Sequence, residues 1–258
     1  MASRATTDGL TEDAVLGGRL RLRQPQRGHR VGHDAILLAA ACPARVGDTV
    51  ADLGAGVGGA GLALAVRVQD TVVTLVEIDP GLATLADENA RLNRMQARVR
   101  AVALDVAAPA RAFASAGLCA DSVARVLMNP PFNDPDRQRS SPDTARALAH
   151  AAPRPLLGPW IKTAARLLCA RGTLTLIWRA DGLGDMLATL APAFGAVAVT
   201  PVHPAPDRPA IRILVTATKA SRAPLALLPP LVLADESGRP TAAAEAVLRD
   251  AAALPSRP

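Results

Sequence analysis

Short apolar runs alternate along the chain with longer alanine- and leucine-rich stretches of helical period. Residues 46–53, 72–78, 99–104 and 122–128 form four such runs, and 172–178, 196–202 and 211–218 complete a seven-stranded pattern. Their near-continuous apolar character is what parallel strands covered on both faces require, because neither face meets water. Between them, residues 35–42, 62–68, 80–95, 144–151, 155–169 and 183–190 read as helices. Asp34 is positioned to cap the first and Pro43 to stop it; Pro80 opens the third, whose wetter face carries Asp87, Glu88, Arg91 and Arg94. The predicted fold is α/β: a doubly wound, mostly parallel seven-stranded sheet with helices on both faces.

The flanks follow other patterns. Residues 1–14 are small, polar and mixed in charge, and are expected to be a flexible N-terminus. Residues 15–45 read as an N-terminal hairpin and helix, in which the alternation from Arg19 to Arg23 predicts a strand with one basic face before a turn at 24–28. A catalytic core over 46–220 follows, then a proline-rich tail over 221–258 that packs on it, all within one domain of 1–258.

The chain is organised around residues 49–61, Thr-Val-Ala-Asp-Leu-Gly-Ala-Gly-Val-Gly-Gly-Ala-Gly. A β-branched run closed by Asp52 meets Gly54, Gly56, Gly58, Gly59 and Gly61 before a helical pattern, which is a strand, a tight turn and a helix start. Glycine lets the backbone turn sharply and approach a ligand, with the free N–H groups of the helix start facing it. A nucleotide-like cofactor is the expected ligand. The spacing also satisfies a dinucleotide fingerprint, with Glu77 as the later acid, so this stretch alone leaves both cofactor classes open.

Composition narrows the picture modestly. With 258 residues, half of them hydrophobic, the chain has the means for a large core, and no apolar run is long enough to span a bilayer. Cys42, Cys119 and Cys169 lack metal-ligand spacing and are expected to be small buried apolar residues; the histidines show no such spacing either, so no metal is expected. A formal charge of +6 and a pI near 10.4, carried almost wholly by arginine, favour an anionic partner such as RNA. The expectation is a cytoplasmic monomer away from membranes.

The fourth strand decides between the cofactor classes. It runs into Asn129-Pro130-Pro131-Phe132-Asn133, so Asp52, Glu77, Asp105 and Asn129 all lie at strand ends, where ligands bind in an open parallel sheet. An exocyclic amino group is a weak nucleophile because its lone pair is delocalised into the ring. Two acceptors, the Asn129 side-chain carbonyl and the Pro130 backbone carbonyl, suit its two N–H bonds, while prolines stiffen the turn and Phe132 stacks on the ring. No histidine at a strand end offers the acid that a hydride-transfer enzyme would use.

On these residues the chain resembles the class I S-adenosylmethionine-dependent methyltransferases over roughly residues 30 to 220, and within them the amino-methylating group with an Asn-Pro-Pro-aromatic motif. The finer order Gln24, Gly28-His-Arg30, Asp34-Ala-Ile-Leu-Leu-Ala39, then Lys219, Arg222-Ala-Pro224 and Pro229-Pro-Leu-Val-Leu233, resembles the bacterial valine-tRNA adenine-N6-methyltransferases. The resemblance implies S-adenosylmethionine as cofactor, with contacts at Asp52, Gly54, Gly56, Glu77 (ribose), Ile78, Asp105 (adenine) and Val106. It implies catalysis by Asn129, Pro130 and Phe132, and tRNA as partner, with other RNA possible. Arg19, Arg21, Arg23, Arg27, Lys219 and Arg222 are the expected RNA contacts. Adenine N6 near the anticodon is the expected acceptor, with rRNA guanine N2 and protein glutamine N5 as alternatives; a more distant one is an RNA-binding protein that keeps the fold without transfer.

Overall fold

The computed structural model describes residues 3–5, 9–27, 30–131 and 157–256. A central sheet is preceded by a small three-stranded antiparallel sheet of β1 (Ser3–Ala5), β2 (Leu10–Val15) and β3 (Leu20–Pro25), in that spatial order. The central elements are α1 (His33–Ala41), β4 (Thr49–Leu53), α2 (Gly59–Arg67), β5 (Val72–Glu77), α3 (Pro80–Leu92), β6 (Val99–Ala103), α4 (Ala110–Ser115) and β7 (Val123–Met128). They continue as α5 (Leu157–Leu167), β8 (Leu168–Arg179), α6 (Leu183–Leu190), β9 (Phe194–His203) and β10 (Arg212–Lys219).

These strands lie in the order β9-β10-β8-β7-β4-β5-β6, all parallel from β8 to β6, with β10 antiparallel to both its neighbours. The expected seven strands are therefore present. The sheet is wider than expected, because β11 (Ala226–Leu227) and β12 (Leu231–Val232) add in parallel to the free edge of β9. The tail thus extends the sheet before α7 (Ala242–Asp250) turns back onto α1.

Each face of the sheet buries its own apolar cluster. Leu37, Leu38, Leu62, Leu64 and Ala86 of α1, α2 and α3 pack with Leu20 and Leu22 of β3 on one side. Phe113, Ile161, Leu167 and Met186 of α4, α5 and α6 pack on the other. All but the first residue of β4 and of β5 is buried, as two-sided cover demands. No helix among the described residues is long and apolar enough to cross a membrane.

Three expectations differ. Residues 10–14, expected to be part of a flexible N-terminus, form most of β2 (Leu10–Val15), whose buried positions Thr11, Asp13 and Val15 are mostly polar, which hid the alternation. Asp13 is satisfied inside by Thr11 Oγ1 at 3.1 Å and Arg30 Nη2 at 2.6 Å. Asp34 does not cap α1, whose N-cap is Gly32; it pairs with Arg212 at 3.0 Å instead. Cys42 is buried as expected, Cys169 partly so, and Cys119 is exposed. The expected helix at 144–151 lies outside the described residues.

Candidate active site

Strand order reverses between β4 and β7, and the carboxyl ends of these two strands carry the glycine turn and Asn129 side by side. The turn is tied to the next strand: the amides of Gly54 and Ala55 donate to the Val76 carbonyl at 2.8 and 3.0 Å. Gly54, Gly56 and Gly58 take φ of +69°, +56° and +90°, the left-handed region that favours glycine. The two sides of the turn differ. A Cβ on Gly54 would lie 2.4 Å from the Trp160 ring, whereas one on Gly56 would meet nothing within 4 Å.

Glu77 ends β5 beside this open flank. Its Oε2 accepts the Gly56 amide at 2.8 Å and its Oε1 the Asp79 amide at 3.0 Å. Asp79 in turn caps α3 through Gly81 and Leu82. Next to Glu77, the Ile78 side chain stands 64% exposed, an apolar surface at a strand end. Asp105 lies exposed just beyond β6, bonded to the Ala107 amide at 2.8 Å. Val106 turns its side chain into the core, while its carbonyl accepts Thr163 Oγ1 at 2.8 Å.

Asp52 is buried and accepts the Gly61 amide at 2.8 Å, which joins the end of β4 to the start of α2. Burial pushes its carboxyl up to about 7; the negative charge of Glu77 adds to the rise and the Gly61 N–H opposes it. Asp52 therefore supports the turn from inside, and Glu77 is the acid at its open side.

Asn129 follows β7 directly. Its Oδ1 is buried and has no hydrogen-bond donor among the described residues. An unpaired buried carbonyl costs free energy, so this atom is an acceptor whose donor the described residues do not supply. Pro130 is buried and Pro131 exposed, so the chain leaves the sheet at this point. Phe132 and the loop 134–143 lie outside the described residues.

The basic residues do not gather at this end. Arg21 and Arg23 share one carboxylate, Glu12, with Arg21 Nε at 2.8 Å and Arg23 Nε at 3.5 Å. The hydrogen bond from Arg21 holds the Glu12 carboxyl below its usual range. Arg19 faces Asp250 at 3.8 Å beside Gln69 and Arg98, near the amino ends of the strands. Lys219 bonds Asp121 at 2.6 Å, one β7 length, or about 20 Å, from Asn129. Arg222 is exposed close after Lys219. Arg27 is exposed past the end of β3 that points toward the glycine turn.

Sequence reasoning passed over four residues that shape the site. Trp160 covers Gly54, and Thr163, three residues on and thus on the same side of α5, holds Val106. Asn89 and Asn93 on α3 clasp the backbone of β3. Arg23 N–H and C=O bond the Asn89 amide at 2.7 and 2.9 Å, and Arg21 N–H and C=O bond the Asn93 amide at 2.9 and 2.6 Å. The visible signal was an amide within the otherwise apolar inner face Ala83, Leu85, Ala86 and Ala90.

Comparison with known proteins adds context to this geometry. Residues 29–201 match the model of a family described as methyltransferase small domain. The chain is 29% identical over 178 residues, 69% of its length and 70% of the relative's, to a tRNA1(Val) (adenine(37)-N6)-methyltransferase of Tolumonas auensis. It is 34% identical over 119 residues to the protein of the same name from Erwinia tasmaniensis, a match that spans 46% of each. Among solved structures, a predicted O-methyltransferase of Agrobacterium tumefaciens, protein Atu636, aligns with a TM-score of 0.72 at 32% identity, covering 86% of this chain and 98% of that one. A Thermus thermophilus 16S rRNA N2 G1207 methyltransferase, solved with AdoMet and guanosine, shares the fold at a TM-score of 0.52 and 19% identity, covering 83% of this chain and 46% of that one.

Proposed function

We propose, on the premise that this chain belongs to the methyltransferase small domain family, that it methylates the exocyclic N6 of an adenine in tRNA beside the anticodon. It is a class I S-adenosylmethionine-dependent methyltransferase by family and fold. The cofactor fits what the strand ends present. Gly56 leaves an open flank in left-handed backbone, Glu77 brings a carboxylate for the ribose hydroxyls, and Ile78 offers an exposed apolar surface for the adenine ring. Asp105 follows β6, the strand next to that of Glu77, and would meet the adenine amino group, and Asp52 braces the turn toward the methionine end.

The observation that carries the acceptor assignment is the buried, unpaired Oδ1 of Asn129 at the switch point. S-adenosylmethionine supplies an electrophilic methyl group on sulfur. The Asn129 Oδ1 and the Pro130 carbonyl accept the two amino N–H bonds, which turns the nitrogen lone pair toward that methyl. As positive charge grows on nitrogen, these fixed dipoles stabilise it without reorganising, and one amino proton then leaves to water. A hydroxyl acceptor carries one O–H and would use only one of the two carbonyls, so the pair favours an amine over the oxygen named for the Agrobacterium protein.

The names of the two curated relatives support adenine in tRNA. Phe132 supplies a stacking face for the extruded base, a contact worth about 1–3 kcal/mol. Arg27 is the nearest of the expected RNA contacts to this end; Arg19, Arg21, Arg23, Lys219 and Arg222 would meet phosphates farther out on a large RNA. Incubation of the protein with unmethylated tRNA, rRNA and a protein extract, using cofactor labelled in its methyl group, tests the reading. Labelled N6-methyladenosine from tRNA is expected; labelled N2-methylguanosine, or label in protein alone, overturns it.

A further inference from the structure

We infer that Asn89 is a positioning residue of the cofactor site, holding the glycine turn in its binding shape through the Val57 carbonyl while anchoring β3 with the rest of its amide. The inference rests on the cofactor reading above and adds a residue that touches neither cofactor nor substrate. Asn89 is fully buried on α3. Its Nδ2 donates to Arg23 O at 2.9 Å and to Val57 O at 3.0 Å, and its Oδ1 accepts Arg23 N–H at 2.7 Å. Both amide protons and the carbonyl are thus engaged, so the ring of contacts leaves the side chain a single orientation.

Val57 stands between Gly56, whose amide bonds Glu77, and Gly58, which precedes α2. The turn closes on itself through the Gly58 amide and the Ala55 carbonyl at 2.9 Å, and Gly56 and Gly58 flank the Val57 carbonyl with backbone that has wide freedom in φ. The bond from Asn89 to that carbonyl adds the one side-chain hold on this peptide among the described residues. Asn89 provides that bond from a rigid helix. The chain of contacts runs Glu77, Gly56, Val57, Asn89, Arg23, and it makes the N-terminal hairpin a structural part of the cofactor turn.

Asn93 supplies an internal control. One helical turn later it makes the equivalent clasp on Arg21, N–H and C=O both, and its amide also donates to the Asn89 backbone carbonyl at 2.7 Å rather than to the glycine turn. The fit of the two clasps is metric: four residues of helix rise about 6 Å and two residues of strand about 6.8 Å, so amides at i and i+4 match alternate strand residues. Asn93 therefore shares the anchoring role of Asn89 and lacks its link to Val57.

The test compares Asn89→Asp, Asn89→Ser and Asn93→Asp in the full chain, by thermal melting and by calorimetric titration with S-adenosylhomocysteine. Asn89→Asp keeps the acceptor for Arg23 N–H and turns an oxygen toward the Val57 carbonyl; Asn89→Ser is neutral and too short to reach it. We expect both to raise the dissociation constant at least tenfold, and Asn93→Asp to change it less than twofold at a comparable loss of melting temperature. Equal weakening by the two positions at equal destabilisation, or tight binding by the Asn89 variants, overturns the inference. So does failure of both Asn89 variants to fold where Asn93→Asp folds, since Asn89 would then be structural only. Absence of binding by the unmodified protein, by contrast, would count against the cofactor reading itself.

Discussion

Asp52, one residue before the end of β4, and Glu77, the last residue of the adjacent parallel strand, oppose one another, since the negative charge of Glu77 adds to burial in pushing the Asp52 carboxyl up to about 7. The pair sits under the glycine turn with different partners: Gly61 N–H for Asp52, Gly56 N–H for Glu77. One acid is therefore half-protonated near neutrality while its neighbour, itself buried, holds the amides of Gly56 and Asp79.

This fixes the sign of a pH effect. Because the folded-state value of Asp52 lies above the unfolded one of about 3.9, the folded protein holds this proton more tightly. Its contribution to stability is full below that value, declines as pH rises, and is lost above about 7. Asp52→Asn, which keeps an acceptor for Gly61, should gain on the unmodified protein between pH 5 and pH 8. From pH 5 to pH 8 the relative gain should be on the order of 2–3 kcal/mol, a rise of roughly 5–10 °C in melting temperature. A variant that melted lower at pH 8 than at pH 5, relative to the original, would show the charge to be compensated.

Replacing Asn129 by Ala removes one fixed acceptor from the reacting centre. The turnover rate should fall roughly 10²-fold or more, while affinity for S-adenosylhomocysteine stays within about twofold. Steady-state kinetics on tRNA together with titration of the product analogue separate the two effects, and full retention of turnover would remove Asn129 from the mechanism.

Gly54 and Gly56 share a left-handed φ but not their surroundings. Gly54→Ala adds a collision with the Trp160 ring to backbone strain, whereas Gly56→Ala adds strain alone. The first should cost about 2–4 kcal/mol and the second about 1–2 kcal/mol in thermal melts without cofactor. Equal losses would indicate that α5 gives way easily.

Glu12 neutralises the basic face of β3, so its removal should strengthen that face. If Arg21 and Arg23 meet RNA, Glu12→Gln should tighten tRNA binding several-fold at low salt and steepen the dependence of log affinity on log salt by about one. Filter binding across a salt series reads both quantities. An unchanged slope would assign the two arginines to holding the hairpin together.

The sequence disclosed the central sheet because burial on both faces leaves little room for polar residues in β4, β5 and β7, and it placed Asn129 at the end of β7 because the apolar run stops there. Helix 183–190 was read with its observed bounds, and most strand bounds shift by one to three residues. What stayed hidden has a common cause. Thr11 and Asp13 face inward, Asn89 interrupts an apolar face, and Asp34 finds Arg212 rather than its own helix start. In each case a polar group is satisfied by a partner distant in the chain, and local periodicity carries no record of it. The expected RNA contacts spread for a related reason: strand alternation shows that Arg21 and Arg23 share a face, but not that Glu12 stands across from them or that Lys219 lies at the opposite end of the sheet.

The seating of α7 bears on how the protein is made. A Cβ on Gly17 would come within 2.8 Å of the Arg249 carbonyl, and the Leu254 amide donates to Ala40 at 2.9 Å. Val247 packs in the same apolar cluster as Leu16, Ile36 and Ala40. On a ribosome the hairpin and α1, within residues 10–41, emerge well before the helix at 242–250 that covers them. A nascent chain that ends before residue 242 therefore leaves a groove of leucine, isoleucine and alanine uncovered, the kind of exposed apolar surface that makes incomplete chains prone to aggregate. This cover is a long-range contact that exists only once residues 242–250 have been made, so truncation before residue 242 should lower the yield of folded protein.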